Sequence, residues 1–408
     1  MFTERRAETA DSVDRCNISS RKSVGQCRYG RWFAQSLLTL ASVALSLVLG
    51  EGVVRLLAPQ PLILLRPDIW MPAEQIGWRH TPNVDTRVNT GEREVRWKTN
   101  EQGFRISTSP PTHASKMTLL ALGDSFVEAM QVEHEETMTS LLADRLAARC
   151  GDSIRILNTG VAGWDPNQYR IELERILGNI SVDGILTFVY LGNDIVQERL
   201  ESYRARQPVQ QHSLQFPKRL SWSGLTESIA YPINDFLEVR SHLFIFTKNR
   251  LKYALMRVGL TAYYFPTSLL LSQASSQRWG TTADILQEIA RIGKLHDLRS
   301  LFILIPSPQE ADLKEGQRTA KAFGITSGAF DLDQAHRLLA EEITRRNLIV
   351  VDTTSALRSA IDRRMRDVYG QVDDHLGKQG HQVVAEAMED AAEKMFCKES
   401  GSLRSGPE

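Results

Sequence analysis

The chain has 408 residues, 42% of them hydrophobic and 24% charged, which is ample material for one large or two modest globular domains. Lysine plus arginine (49) balance aspartate plus glutamate (49), so the usual electrostatic reason to expect a nucleic-acid partner is missing.

At the N-terminus, residues 1–31 form a polar tail. From Trp32 to Gly50 nineteen residues carry no formal charge, and as a helix they would measure about 28 Å, near the thickness of a bilayer core. Arg21, Lys22, Arg28 and Arg31 precede this run, and no acidic residue lies between Asp14 and Glu51. The positive-inside bias therefore predicts a cytoplasmic N-terminus, with everything after about residue 52 outside. A buried core helix and a cleaved signal peptide are the alternatives. No Ala-x-Ala site follows the run, which favours an uncleaved signal anchor over residues 32–55 with the lipid bilayer as its partner. Cys16 and Cys27 would then face a reducing compartment, and Cys150 and Cys397 an oxidising one.

Residues 56–115, with "IGWRHTPN" and "WKTNEQGFR", predict short irregular β structure. The pattern then changes. Apolar runs at 117–124, 153–160, 183–192, 299–306 and 346–353 are bounded by turn or polar residues and predict strands covered on both faces. Amphipathic stretches lie between and after them, the last being "HQVVAEAMEDAAEKMF", where Val384, Met388, Ala391 and Met395 share one face. Strand and helix alternate five times, which predicts an α/β fold with a doubly wound parallel sheet over 116–397. Residues 195–280 break the rhythm and predict a partly helical insertion, because bare loop of that length is rare in a compact domain. A polar tail, 398–408, closes the chain and is expected to be disordered.

In such a sheet the chemistry gathers beyond the carboxyl ends of the strands. Ser125, in "LLALGDSFVEAM", falls just past the first of them. It is either a helix N-cap or a nucleophile. "NTGVAGW" follows the second strand, "YLGND" the third, and "VDDHLGKQGH" precedes the last helix. A serine, a glycine N–H, an asparagine amide and an Asp/His pair on one rim suffice for acyl transfer. Gly160, Asp194 and Asp124 read as structural, and His381 as a surface or cap residue. Trp164 either stacks on a sugar ring or packs. With no clustered histidines and no Gly-rich phosphate loop, neither a metal nor another cofactor is expected.

Those four blocks resemble the SGNH (GDSL-type) hydrolase superfamily, in its order and over roughly residues 115–397. The leading apolar segment, the "GWR" and "GFR" blocks and the long insertion look like its bacterial membrane-anchored members, some of which act in polysaccharide O-acetylation. The resemblance implies a flavodoxin-like three-layer fold with Ser125 as nucleophile and His375 as base. Asp373 would orient the imidazole, with Asp374 as the alternative acid, because the usual Asp-x-x-His spacing is replaced by Asp-Asp-His. The oxyanion would be held by the N–H groups of Ser125 and Gly163 and by the Asn193 amide. Ala129 stands where a glycine is frequent, which would narrow the acceptor space. In this winding the first and last helices are parallel neighbours, so Cys150 and Cys397 at their ends could form a disulfide.

The function implied is a serine esterase or O-acyltransferase at the bacterial inner membrane, its catalytic domain periplasmic. It would act on acyl, most simply acetyl, esters of an exported glycan, beside other polysaccharide-biosynthesis proteins. The competing expectation is a non-catalytic glycan-binding or assembly component.

Overall fold

The computed structural model describes residues 23–64, 67–108, 115–196, 231–258, 264–271 and 276–397. The tails before residue 23 and from 398, and residues 197–230 of the expected insertion, lie outside these. The chain divides into two units, Met1–Gln60 and Pro61–Glu408.

The first unit holds helix α1 (Ser23–Leu57). It begins inside the stretch expected to be tail, because arginines are good helix formers and charge bounds only the apolar run, not the helix. Its segment Trp32–Leu57 is long and apolar enough to cross a membrane. Three hydroxyls that dilute this run are satisfied within the helix: Thr39 donates to the Gln35 carbonyl at 2.9 Å, and Ser42 and Ser46 to those of Leu38 and Ser42 at 2.8 Å.

The second unit opens with two antiparallel pairs, β1 (Trp70–Ala73) with β2 (Gly77–His80) and β3 (Asp85–Asn89) with β4 (Glu94–Lys98). They are the short β pieces predicted over 56–115. Val88, Val95 and Trp97 bury one face of the second pair against Ile69 and Met130.

The main sheet follows. In chain order the elements are β5 (Met117–Leu122), α2 (Ser125–Glu128), α3 (Met138–Cys150), β6 (Ile154–Asn158), α4 (Pro166–Leu177) and β7 (Gly184–Tyr190). Next come α5 (Tyr231–Glu238), α6 (His242–Arg257), α7 (Ser276–Leu295), β8 (Arg299–Ile305), α8 (Pro308–Ala311) and α9 (Leu313–Ala322). The chain ends with α10 (Gln334–Arg345), β9 (Ile349–Asp352), α11 (Thr354–Asp362) and α12 (Lys378–Phe396). Strand order is β6-β5-β7-β8-β9, every neighbour parallel. All five predicted strands are present. Helices α8, α9 and α11 were not anticipated, although "SPQE" carries a capping box, Ser307 with Glu310, and a proline at the first turn of α8.

Alternation along each strand builds two cores. Leu120 and Leu122 of β5 face one way, toward Tyr169 and Leu173 of α4, Leu286 of α7 and Leu339 of α10. Leu119 and Ala121 face the other way, toward Leu142 and Leu146 of α3, Leu357 of α11 and Val384 and Met388 of α12. Each such leucine contributes about 1.5–3 kcal/mol on burial. The sheet is thus a doubly wound, three-layer sandwich whose first loop leaves from a central strand, where the winding reverses.

Helices α3 and α12 pack side by side, joined by Arg145 to Glu386 at 2.7 Å and Arg149 to Asp390 at 2.7 Å. At their ends Cys150 and Cys397 are disulfide-bonded, their Cα atoms 5.3 Å apart and 247 residues apart in sequence. A bond closing so long a loop removes much chain entropy from the unfolded state. We expect Cys397→Ser, or reduction of the parent, to lower the unfolding free energy by about 2–5 kcal/mol, as read by denaturant titration.

Candidate active site

Strand β5 delivers the serine. Gly123 leaves it with no room for a side chain: a Cβ there would lie 2.2 Å from Val127 Cγ2. Asp124 then caps the four-residue helix α2, accepting from the Phe126 N–H at 2.9 Å. Its burial pushes the carboxyl up to about 6. Ser125 occupies the first helical position, so its N–H is one of the donors a helix cannot satisfy internally.

His375 faces the Ser125 hydroxyl, Nε2 to Oγ 2.7 Å. Its Nδ1 meets Asp373 Oδ1. Because a carboxylate can only accept, the ring proton belongs on Nδ1, and the Nε2 lone pair is left for the serine. Asp373 Oδ2 accepts from the Gln131 amide at 2.7 Å. The imidazole also rests on Phe126, ring centroids 4.7 Å apart, and Phe126 stacks on Tyr190 at 3.8 Å.

Burial would lower the His375 pKa, but the charge and hydrogen bond of Asp373, helped by Asp124 and Asp374, outweigh it and raise it to about 9. Burial would raise Asp373, yet His375 and then Gln131 hold it down at about 2. Each partner thus stabilises the charged form of the other. Asp374, the alternative acid, makes no hydrogen bond to the ring among the described residues; its buried Oδ2 has no partner. Burial pushes this carboxyl up to about 7 against the pull of Lys252. Of the two aspartates, Asp373 is therefore the one bonded to the ring.

Gly163 and Asn193 stand on the same rim, beyond the ends of β6 and β7. Gly163 has φ +77°, a left-handed conformation that favours glycine. Asn193 is exposed. Among the described residues neither the Ser125 N–H, the Gly163 N–H nor the Asn193 amide donates to any protein group, so all three are free to meet an anion.

Three expectations change. Trp164 offers no stacking face: it is 2% exposed, packed in the core, and its Nε1–H donates to the Trp78 carbonyl at 3.0 Å. His381 is not a surface residue but 1% exposed, its Nδ1 accepting from the Met138 N–H at 3.3 Å. Desolvation lowers its pKa to about 3, so it is neutral at physiological pH. Ala129 is also buried, so its methyl does not narrow an acceptor space. It ends α2 in the left-handed region, φ 57° and ψ 51°, where a glycine would avoid a penalty of about 1–2 kcal/mol. Gly160 and Asp194 are structural, as expected. A Cβ on Gly160 would lie 2.5 Å from the Glu128 nitrogen, and Asp194 accepts from the Tyr169 hydroxyl and Tyr190 N–H at 2.8 Å.

Two supporting residues escaped the sequence reading. Gln131 holds Asp373, as described. Arg105, from the "GFR" block, is 2% exposed and lies over the Trp97 ring at 4.6 Å. It donates to the Glu128 carbonyl at 2.8 Å and to those of Ala129 and Val132. A four-residue helix leaves its last carbonyls orphaned; this guanidinium takes that of Glu128, and the Asn158 amide takes that of Val127 at 2.6 Å. Nothing in the spacing of either residue announces these roles; only the folded turn does. Among the described residues no group of three metal-ligating side chains stands together.

No family model and no curated protein matches this sequence. Several solved structures are similar to it. One is a member of the lipolytic protein G-D-S-L family from Veillonella parvula DSM 2008, at 10% identity and TM-score 0.33, covering 67% of this chain and 97% of that one. Another is a catalytic mutant of the acetylxylan esterase Axe2 from Geobacillus stearothermophilus, at 12% identity and TM-score 0.37, covering 70% and 96%. A third is LAE5, an alpha/beta hydrolase enzyme from the metagenome of Lake Arreo, Spain, at 13% identity and TM-score 0.36, covering 70% and 97%.

The hydrogen-bond pattern makes a direct expectation for titration. Removing the carboxylate that favours the imidazolium must lower the imidazole pKa, so Asp373→Asn should bring His375 down from about 9 to near or below the ordinary 6.5. Asp374→Asn should move it the same way by less. NMR titration of the imidazole resonances measures both, and equal shifts would contradict the assignment of Asp373.

Proposed function

We propose that this chain is an SGNH-type serine esterase. The observation that carries the reading is the relay from Ser125 Oγ to His375 Nε2 at 2.7 Å, continued from Nδ1 to Asp373. In the first half-reaction the serine oxygen attacks the ester carbonyl carbon while Nε2 takes the hydroxyl proton. Charge that develops on the carbonyl oxygen is met by the N–H groups of Ser125 and Gly163 and the Asn193 amide. Collapse breaks the ester bond, and the imidazolium returns its proton to the departing alcohol. A water, or the hydroxyl of an acceptor, then attacks the acyl-serine with the same base assisting. The second half-reaction regenerates Ser125 and yields an acid or a new ester.

The finer reading is an esterase or O-acyltransferase acting on acetyl esters of an exported glycan. It is supported by the likeness of the "GWR" and "GFR" blocks and the insertion to membrane-anchored relatives. Residues 32–55 would anchor it in the bacterial inner membrane with the catalytic unit outside, supported by the apolar helix and the cations before it. No feature of the site favours the alternative of a non-catalytic glycan-binding component.

The test uses the detergent-solubilised full chain and a chromogenic acetate ester. Ser125→Ala should lower kcat/KM by about four orders of magnitude or more. Asn193→Ala should lower it by about 10²–10³-fold. Undiminished turnover in Ser125→Ala would overturn the mechanism.

The base must be neutral to accept a proton, and its pKa is raised. Activity in the parent should therefore fall on the acid side through a limb lying above the ordinary histidine value of 6.5, as read from the pH profile of kcat/KM.

A further inference from the structure

The loop that carries Asp373 and His375 is held from outside the sheet. It is closed on itself by the Gly370 N–H donating to the His375 carbonyl at 2.8 Å, and the Tyr369 hydroxyl ties its root to the Pro306 carbonyl at 2.8 Å. Neither bond touches residues 372 and 373; Lys252 Nζ donates to the Val372 carbonyl at 3.3 Å, and the N–H side of the arc that bears Asp373 takes another support. The tip of the β3–β4 hairpin supplies it. Glu92 Oε1 accepts from two successive N–H groups, those of Val372 and of Asp373, the second at 3.0 Å.

Two glycines make the approach possible. Gly91 has φ +110°, and a Cβ on it would lie 2.9 Å from Val372 Cγ1. A Cβ on Gly370 would lie 2.6 Å from Glu92 Oε1 and 2.3 Å from the Asp373 carbonyl. The same tip reaches the other residue on Asp373: Arg93 Nε donates to the carbonyl of Gln131 at 3.2 Å, while the Gln131 amide donates to Asp373 Oδ2 at 2.7 Å. One hairpin turn thus holds the Asp373 backbone directly and its carboxylate through one intermediary.

We propose that Glu92 is a positioning residue for the reaction: by fixing the N–H groups of residues 372 and 373 it aims the Asp373 carboxylate at His375 Nδ1. The segment before the main sheet is then part of the catalytic apparatus rather than a spacer. This inference rests on the esterase reading for its rate effect, but the aim of Asp373 can be read without turnover. The charged groups facing His375 are Asp373, Asp124 and Asp374, with Lys252 and Glu92 acting in turn on Asp374. Glu92 has no direct contact with the imidazole among the described residues, so a change at Glu92 reaches the ring through Asp373 or through its charge on Asp374, and Glu92→Gln removes that charge as fully as Glu92→Ala does.

The full chain carrying Glu92→Ala, Glu92→Gln or Glu92→Asp is compared with the parent by imidazole titration and by kinetics on the chromogenic acetate ester. Glutamine keeps an acceptor oxygen at the same reach, whereas alanine removes it and aspartate retracts it by one methylene. In Glu92→Ala and Glu92→Asp the His375 pKa should fall by about one unit. Their kcat should drop about 10- to 100-fold, the loss that a displacement near 1 Å brings, with KM unchanged. Glu92→Gln should restore both.

An imidazole pKa at the parent value in Glu92→Ala would overturn the proposal; should that variant not fold, the same result in Glu92→Asp overturns it. So would a glutamine variant no better than alanine. A merely structural role predicts a lower Tm with the titration unmoved. If Ser125→Ala retains the parent's activity, the esterase reading fails while the titration still decides the role of Glu92.

Discussion

The imidazole of His375 is bonded on both sides, to a hydroxyl 250 residues earlier in the chain and to a carboxylate only two residues away. The short connection is local and cheap to make. The long one demands that the exit of β5 and the approach to α12 arrive at one place within a few tenths of an ångström. The parallel sheet meets that demand. β5 is an interior strand, its loop leaves where the winding reverses, and α12 packs on α3 with a disulfide at the far end of both helices. The covalent link sits at the C-terminal ends of the two helices, away from the Ser125–His375 contact, and secures the pairing of the first and last helices of the sheet domain.

Around this contact the protein buries several polar groups, among them Asp124, Glu128, Arg105 and His80, that hold the ends of a short helix. Helix α2 is one turn long, too short to satisfy its own termini. Asp124 takes the Phe126 N–H at its start and leaves that of Ser125 with no protein acceptor among the described residues; Arg105 takes the Glu128 carbonyl at its end. Glu128, in the same helix, accepts from His80 at 2.6 Å and from the Trp70 indole at 3.1 Å. Both partners come from β1 and β2. The region before the main sheet therefore braces the serine turn through His80 and Trp70 of the first pair and Arg105 beyond the second, and the histidine loop through Glu92. Desolvating these groups costs several kcal/mol apiece unless each finds a partner, which is why the region before the sheet is so densely hydrogen-bonded to it.

Much of the architecture was legible because burial on both faces forces a continuous apolar run, and the runs at 117–124, 183–192 and 299–306 are too short for core helices and too apolar for surface strands. Boundaries were less legible. The strand expected over 346–353 begins only at Ile349, since Asn347 turns the chain with φ 58°. Trp164 and His381 depart from expectation for a common reason: local pattern reports the element a residue occupies, not what packs over it. Trp164 is covered by Trp78 from a distant hairpin, and His381 sits against the start of α3.

Sequence alone determined the alternation of strands and helices, the apolar N-terminal segment, and which loops carry a serine, a glycine and an asparagine at strand ends and an Asp-Asp-His before the last helix. These follow from periodicity and from the few residue types able to do acyl chemistry, both written locally. Tertiary structure alone set Asp373 rather than Asp374 against the imidazole, closed the Cys150–Cys397 disulfide that the sequence had only offered, and brought Gln131, Arg105 and Glu92 in from elsewhere in the chain. Each of those is a matter of which hydrogen-bonding or sulfur atom reaches which partner across tens or hundreds of residues. Hydrogen bonds are directional over less than an ångström, and nothing in the order of residues encodes that distance until the chain has folded.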